Sequence, residues 1–186
     1  MLRNRFLISL GSLAPFSVMA RNFRHQLLPG LGFRVAAGES RYNGHMRLQG
    51  VNSNILDVKI SGKDTDGGLA VFEQTSVSPG KGTPLHVHPL QDESFYVIEG
   101  RYFFKVGADA FHLSEGDTIF LPRGVPHGWT QLSDKGKLIV NFQPAGKMEA
   151  FFLAVSSLKT PPTPERMSAL FMEHEMQIVG PMVKPE

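Results

Sequence analysis

The sequence contains no cysteine among its 186 residues. This absence excludes disulfide bonds, thiolate ligation of a metal and a lipid anchor attached through cysteine, so a bound metal would need nitrogen and oxygen ligands. The chain also lacks an internal repeat, a low-complexity tract and an apolar run long enough to cross a bilayer, and we expect no stable membrane anchor. Hydrophobic residues make up 41% of the chain, which predicts one small globular domain with an apolar core.

The charge of the chain gives no sign of a nucleic-acid partner. The formal net charge is +2, but the segment 1–20 contains Arg3 and Arg5 and no acidic residue. Removing these two from the 19 lysines and arginines leaves 17, which equals the number of acidic residues. A balanced chain of this kind does not favour binding to nucleic acid or to an anionic membrane.

The N-terminal segment, residues 1–20, resembles an export signal. Two arginines precede an apolar stretch from Phe6 to Ala14, and Val18-Met19-Ala20 is typical of a cleavage site that uses small residues. We therefore expect residues 1–20 to be a signal peptide, with export to the periplasm or the extracellular space. The alternative is a cytoplasmic protein in which this segment is an apolar arm.

Two short segments carry the residues that predict a chemistry. In the first, the pattern from Leu85 to His88 predicts a strand, so that His86 and His88 share one face at a spacing of about 6.6 Å. After a turn, Glu93 begins the next predicted strand, where its carboxylate can supply an oxygen ligand. In the second segment, a tight loop follows a strand and places His127 at the start of another.

The four side chains His86, His88, Glu93 and His127 form a suitable set of ligands for one divalent metal. Three imidazoles and one carboxylate suit a transition metal that keeps an open coordination position. Glu93 is also the candidate catalytic residue, because a carboxylate next to a coordinated hydroxyl can act as a general base.

The spacing of these residues resembles the two motifs of the cupin superfamily. The first motif contains Gly80, His86, His88, Glu93 and Gly100, and the second contains Gly116, Pro122, Gly124, His127 and Gln131. Gln131 departs from the pattern, which usually has asparagine at this position. The flanking segments, including Phe142 to Gly146, resemble the quercetin dioxygenase-like group of single-domain cupins.

This resemblance implies an all-β fold, the cupin jelly-roll β-barrel, here with a short C-terminal helical extension. It further implies one divalent transition metal, which is Fe, Mn, Ni, Co, Cu or Zn, and assembly into a homodimer. The same barrel serves oxygenases, isomerases and binding proteins, so the resemblance indicates the site more strongly than it indicates the reaction.

Four segments organise the chain. They are the predicted signal peptide at residues 1–20, an N-terminal arm at 21–50, the barrel at 51–146 and a helical tail at 147–186. Nine predicted strands cover the barrel: Ile55–Ile60, Leu69–Val77, Leu85–His88, Glu93–Glu99, Tyr102–Val106, Ala110–Leu113, Thr118–Leu121, His127–Leu132 and Leu138–Phe142. Apolar residues at helical spacing predict two helices in the tail, at Lys147–Leu158 and Glu165–Met176.

Alternation along the predicted strands indicates the wall of a substrate pocket. Phe95 and Val97 should share the face of Glu93, and Trp129 and Gln131 should share the face of His127. An apolar wall of this kind favours an aromatic ligand, whereas Gln74 or Gln131 turned inward would favour a sugar.

We expect a metal-dependent, dioxygenase-like oxidoreductase that acts on a small aromatic or enediol substrate. The alternative is a metal cupin without catalytic activity that binds a sugar, a phenolic compound or an organic acid. A third possibility is a metal-dependent isomerase or epimerase, which would need a second acid–base residue in the pocket.

Overall fold

Two antiparallel β-sheets pack face to face in a computed structural model that describes residues 31–185. The predicted signal peptide lies outside the described residues. Eleven strands form the sheets: β1 (Met46–Arg47), β2 (Ile55–Ile60), β3 (Ala70–Ser76), β4 (Pro84–Val87), β5 (Asp92–Glu99), β6 (Tyr102–Val106), β7 (Asp109–Leu113), β8 (Thr118–Leu121), β9 (His127–Gln131), β10 (Gly136–Gln143) and β11 (Gln177–Met182). A short 3-10 helix at Gly62–Asp64 joins β2 to β3.

The first sheet has the strand order β1-β2-β3-β10-β5-β8, and the second has the order β11-β4-β9-β6-β7. Alternate residues of β3 and β10 are buried, as in strands that present one face to a core. Large aromatic side chains fill the space between the sheets, among them Phe72, Phe95 and Phe104, each at most 1% exposed. The predicted all-β jelly-roll architecture is therefore confirmed.

Two short helices follow the strands of the barrel, α1 (Met148–Ser156) and α2 (Pro164–Glu173). Thr163 caps α2, because its hydroxyl oxygen accepts a hydrogen bond from the Arg166 amide at 3.3 Å, and Pro164 occupies the first helical position. Both predicted helices are present. The second ends at Glu173 rather than at Met176, because Glu175 adopts a φ of 66° and the chain turns into β11. Neither helix is long and apolar enough to cross a membrane.

The structure contains all nine predicted strands, with only small shifts at their ends. It adds two strands, β1 and β11, which fall in the predicted arm and in the predicted tail. Both lie at the edge of a sheet, where pairing is one-sided and the periodicity of the sequence is weak. Strand β11 also contains Pro181, which an edge strand tolerates because its missing N–H costs no pairing there.

Gly100 makes the turn between β5 and β6 possible. Its φ is 92°, a conformation that residues with a side chain rarely adopt. A Cβ atom at this position would lie 2.5 Å from the Lys135 carbonyl oxygen. Glycine is thus required both by the backbone conformation and by the close approach of the neighbouring loop.

Candidate metal centre

Three strands bring together the four predicted metal ligands. His86 lies on β4 directly opposite His127, the first residue of β9, because the two strands pair antiparallel in this register. Glu93 is the second residue of β5 on the facing sheet, and His88 follows the end of β4. All four side chains are buried, with exposed fractions between 0% and 6%.

The ligand atoms of the four residues lie within 4.8 Å of one another. The Nε2 atoms of His86 and His88 are 3.2 Å apart, and the His127 Nε2 atom lies 3.1 Å from a Glu93 carboxylate oxygen. Two nitrogens at about 2.1 Å from one ion would show such a spacing when they subtend roughly 100° at it. The four side chains thus fit around one divalent ion.

Hydrogen bonds fix which ring nitrogen of each histidine carries the proton. The Nδ1 atoms of His86 and His127 each lie 2.9 Å from a backbone carbonyl oxygen, that of Pro84 and that of Val125. A carbonyl oxygen only accepts, so each Nδ1 must donate, and each Nε2 keeps a free lone pair. Both lone pairs are thereby available to a metal.

Gln91 fixes the third imidazole in the same way. Its Nε2 atom donates to the carbonyl oxygens of Pro144 and Ala145, at 3.3 and 2.9 Å, so its Oε1 atom is left to accept. The Nδ1 atom of His88 lies 3.2 Å from that oxygen and donates to it. Gly146 allows this contact, since a Cβ atom there would collide with the Gln91 amide.

The centre therefore collects four acceptors and no donor. The three Nε2 lone pairs and the Glu93 carboxylate face one another in a buried space, and the Nε2 atom of His127 has no hydrogen-bond partner among residues 31–185. Buried acceptors without donors cost free energy, and a carboxylate costs more because it is charged. A bound cation would satisfy all four at once, and this donor set suits a single divalent metal.

Burial keeps two of the imidazoles neutral, as metal ligation requires. Burial, and then the nearby His127 and His88, hold the pKa of His86 well below its usual value of 6.5. Burial also lowers the pKa of His88, although the Glu93 carboxylate opposes part of the effect. Both side chains therefore present lone pairs at neutral pH.

An ion pair joins the two motif segments beside the centre. Arg123, in the loop between β8 and β9, donates to both carboxylate oxygens of Asp92 at 3.0 and 2.6 Å. These hydrogen bonds lower the pKa of Asp92 to about 2. Because Asp92 precedes Glu93, the pair holds the start of β5 against the loop that leads to His127.

A cavity of about 70 Å³ adjoins the centre, and His86, His88 and Glu93 form one side of it. Two of the predicted pocket residues, Phe95 and Trp129, line this cavity. Its other walls are mostly apolar and come from β2, β3, β10 and both helices. The helices were predicted, but their contribution to the pocket was not.

The other two predicted pocket residues, Val97 and Gln131, do not line the cavity. Each lies four positions along its strand from a metal ligand, which places it about 13 Å away in another layer of the barrel. Gln131 instead fixes the loop before β4, where its amide contacts the Ser78 N–H at 3.0 Å and the Ser76 carbonyl oxygen at 3.2 Å.

Gln91 and the helical side of the pocket were not predicted from the sequence. Gln91 falls in a segment that resembles a turn, and its partners Pro144 and Ala145 belong to the loop between β10 and α1, far along the chain. The sequence carries no periodic signal for such a contact. The apolar positions of the two helices did carry a signal, which indicated packing but not what they would pack against.

A comparison with protein families agrees with this geometry. Residues 74–142 match the family model described as a cupin domain. The match covers all four metal-site residues and the complete strands from β4 to β9, and it leaves the two helices and β11 outside.

Curated relatives match short parts of the chain. Quercetin 2,3-dioxygenase of Bacillus subtilis is 32% identical over 71 residues, which are 37% of this chain and 21% of that enzyme. The tetracenomycin polyketide synthase protein TcmJ of Streptomyces glaucescens is 30% identical over 79 residues, or 42% of this chain and 51% of that protein. The chain spans between about a fifth and a half of the length of the curated relatives it matches.

Solved structures include similar folds. An RmlC-like cupin from Shewanella frigidimarina is 24% identical, with a TM-score of 0.45 over 52% of this chain and 80% of that one. KdgF from a Halomonas species is 21% identical, with a TM-score of 0.44 over 49% of this chain and 80% of that one.

We predict that Gln91→Leu weakens metal binding by about 10- to 100-fold, because His88 loses the acceptor that fixes its proton and orientation. The measurement is a competitive titration with a chelator of known affinity. Gln177→Leu is the matched control, since it makes the same change at an exposed position of β11. Equal affinities for the two variants would contradict the role of Gln91.

We also predict that the metal-free protein loses stability as the pH falls below about 6.5. The unfolded chain takes up protons near that pH, whereas folded His86 and His88 resist protonation, so the unfolded state binds more protons and acid favours it. Each histidine contributes a slope of up to about 1.4 kcal/mol per pH unit.

Urea unfolding of chelator-treated protein between pH 7.5 and 5 measures this slope. His86→Gln/His88→Gln should flatten it, and His112→Gln, at an exposed position of β7, should leave it unchanged. A slope that is the same in wild type and in the double variant would contradict the assignment.

Proposed function

We propose that this protein is a metal-dependent, dioxygenase-like oxidoreductase that acts on a small enediol or aromatic substrate. The observation that carries the proposal is the buried set of three imidazoles and one carboxylate beside a mostly apolar cavity. His86, His88, Glu93 and His127 would hold the ion, which is Fe, Mn, Ni, Co, Cu or Zn. The partial similarity to quercetin 2,3-dioxygenase supports the same reaction class.

A bound divalent transition ion would lower the pKa of a substrate hydroxyl and keep an open position for it. Glu93 would take the proton of that hydroxyl, because its carboxylate lies at the edge of both the ligand cluster and the cavity. Loss of that proton would make the substrate more electron-rich, and dioxygen is the co-substrate and oxidant that this proposal requires.

The apolar walls would keep bulk water away from the reacting carbon atoms. Phe95, Trp129 and Phe142 border the cavity, and each is at most 4% exposed. In an environment of low polarity, electrostatic interactions within the site would be stronger than in water. Exclusion of water by these walls would also suppress hydrolysis of a reactive intermediate.

Polar residues are few in the cavity, which argues against a sugar as the ligand. Asn52 already uses both ends of its amide, donating to the Gly82 carbonyl oxygen at 3.0 Å and accepting from the Asn54 N–H at 3.2 Å. Gln74 faces the cavity, and its Nε2 atom donates to Ser76 at 2.8 Å. Together with the Thr83 hydroxyl, which accepts from the Trp129 N–H at 3.2 Å, the Gln74 amide oxygen would satisfy only part of the several hydroxyl groups of a sugar.

A metal cupin that binds a phenolic compound or an organic acid without turnover is the second candidate, because binding would use the same ligands and the same apolar wall. The isomerase or epimerase hypothesis has less support. Among the cavity-lining residues within 31–185, the only titratable side chains are His86, His88 and Glu93, which are metal-ligand candidates themselves. A second acid–base residue is thus missing from the described part of the pocket.

We also propose that the protein forms a homodimer and that it is exported. Tyr96 and Phe120 lie on neighbouring strands, are 45% and 59% exposed, and would suit an interface between two copies. Light scattering measures the mass in solution, and N-terminal sequencing of the mature protein tests cleavage after Ala20.

Oxygen uptake with at least one substrate is the expected outcome when the protein, loaded in turn with each of the candidate metals, is tested with enediols, catechols and flavonols. Glu93→Gln should lower the rate per bound metal by about 10²- to 10⁴-fold, because the amide cannot accept the proton. Uptake is followed with an oxygen electrode, and the metal content of each sample is measured in parallel.

Glu99→Gln is the matched control, since it changes the same residue type at the exposed end of β5. Absence of uptake with every metal and substrate, in protein that holds stoichiometric metal, would reject the oxygenase proposal. In that case ligand binding without turnover becomes the better proposal.

A further inference from the structure

The two C-terminal helices supply one wall of the pocket, although they lie outside the residues that match the cupin family. The cavity is lined by Met148, Phe151, Phe152 and Val155 of α1 and by Met167 and Phe171 of α2. All six side chains are at most 9% exposed. Because this wall lies outside the residues that match the family model, it can give this protein a ligand specificity that other members of the family do not share.

Phe171 is the helical residue that contacts a metal ligand. Its ring lies 5.4 Å from the His86 ring at an interplanar angle of 83°, an edge-to-face contact. The Phe151 ring also lies near it, 5.0 Å away at 76°, and Phe151 in turn contacts His174 at 5.6 Å. Phe171 therefore contacts both a metal-ligand candidate and a second aromatic ring, in a packed position.

The cavity that remains is small. Its volume is about 70 Å³. A cavity of about 150 Å³ is known to accept a benzene ring in an apolar protein interior. Less than half of that volume is present here, so a six-membered aromatic ring does not fit beside the metal centre while Phe171 keeps its position.

We propose that Phe171 is the residue that limits ligand size, so that the pocket selects acyclic molecules of two or three carbons that chelate a metal through oxygen. This inference rests on the proposed metal-dependent function, and it narrows the substrate class from small aromatic or enediol compounds to the acyclic ones. Phe171 acts by occupying space, and it is a specificity residue that takes no part in proton transfer.

Two ligands with the same chelating group test the proposal. Glycolate and mandelate both present a 2-hydroxycarboxylate, and mandelate adds one phenyl ring. The full chain is loaded with Co²⁺, and each ligand is titrated while the visible spectrum of the metal and the heat of binding are recorded. We expect wild type to bind glycolate at least tenfold more tightly than mandelate.

Phe171→Ala should largely remove this preference for the smaller ligand. We expect mandelate to bind at least tenfold more tightly than it does to wild type, with glycolate changed by less than threefold. Phe171→Leu should give an intermediate gain and disturb the packing less. Met172→Ala is the matched control, because it shortens the neighbouring side chain of α2, which is 62% exposed, and it should behave as wild type.

Thermal unfolding identifies the variants that retain the fold. If neither Phe171 variant folds, the affinities of wild type for glycolate and mandelate still test the proposal. Equal affinity of wild type for both ligands would overturn the proposal, because the helices would then move to admit a ring. An unchanged ratio in a folded Phe171 variant, or failure of glycolate to bind, would overturn it as well. Failure to bind Co²⁺ at all would instead refute the proposed metal-dependent function.

Discussion

The centre depends on one physical constraint: four buried acceptors face one another, and burying them without a donor is unfavourable. Three imidazole lone pairs and a carboxylate share a space in which the described part of the chain supplies no donor, and the Nε2 atom of His127 has no hydrogen bond there. In the absence of a cation this arrangement is unfavourable, since each acceptor has lost water and gained no partner. One divalent ion converts the same arrangement into four favourable contacts, so binding and folding are coupled at this site.

Much of the surrounding structure serves to keep the acceptors in place. Backbone carbonyl oxygens and the Gln91 amide oxygen accept hydrogen bonds from the three Nδ1–H groups, which leaves the lone pair of every Nε2 atom free. The Asp92–Arg123 pair connects the two segments that carry the ligands, and β11 pairs with β4 so that Ile178 lies opposite His86. The C-terminal strand and helices are thus part of the site, because they support one of its ligands and close its cavity.

The features that follow from local periodicity could be predicted from the sequence. The spacing of His86 and His88 predicted a shared direction, and the two convergent segments predicted a single metal site, which the geometry of the centre fits. The strands of the barrel followed from alternation and turns, and the fold is confirmed. These features depend on a few neighbouring residues, whose preferences agree with the tertiary structure.

Features that depend on contacts between distant parts of the chain, or on the depth of a residue in the barrel, could not be predicted from local periodicity. Alternation gives the face on which Val97 and Gln131 lie but not their depth, so both were expected in the pocket and lie in another layer of the barrel. Gln91 reaches its partners only because a distant part of the chain, the loop after β10, returns to it. The edge strands β1 and β11 pair on one side only, which weakens the alternation in their sequences. The role of the helices in the pocket follows from the contact between Phe171 and His86, which only the structure shows.

Elemental metal analysis of the purified full chain tests the central claim most directly, beside His86→Ala/His88→Ala and the exposed-residue control His112→Ala. We predict about one equivalent of Fe, Mn, Ni, Co, Cu or Zn in wild type and in the control, and loss of that metal in the double variant. Equal metal content in all three proteins would contradict the assignment of the ligands. Absence of metal from wild type even after reconstitution would contradict the metal centre itself.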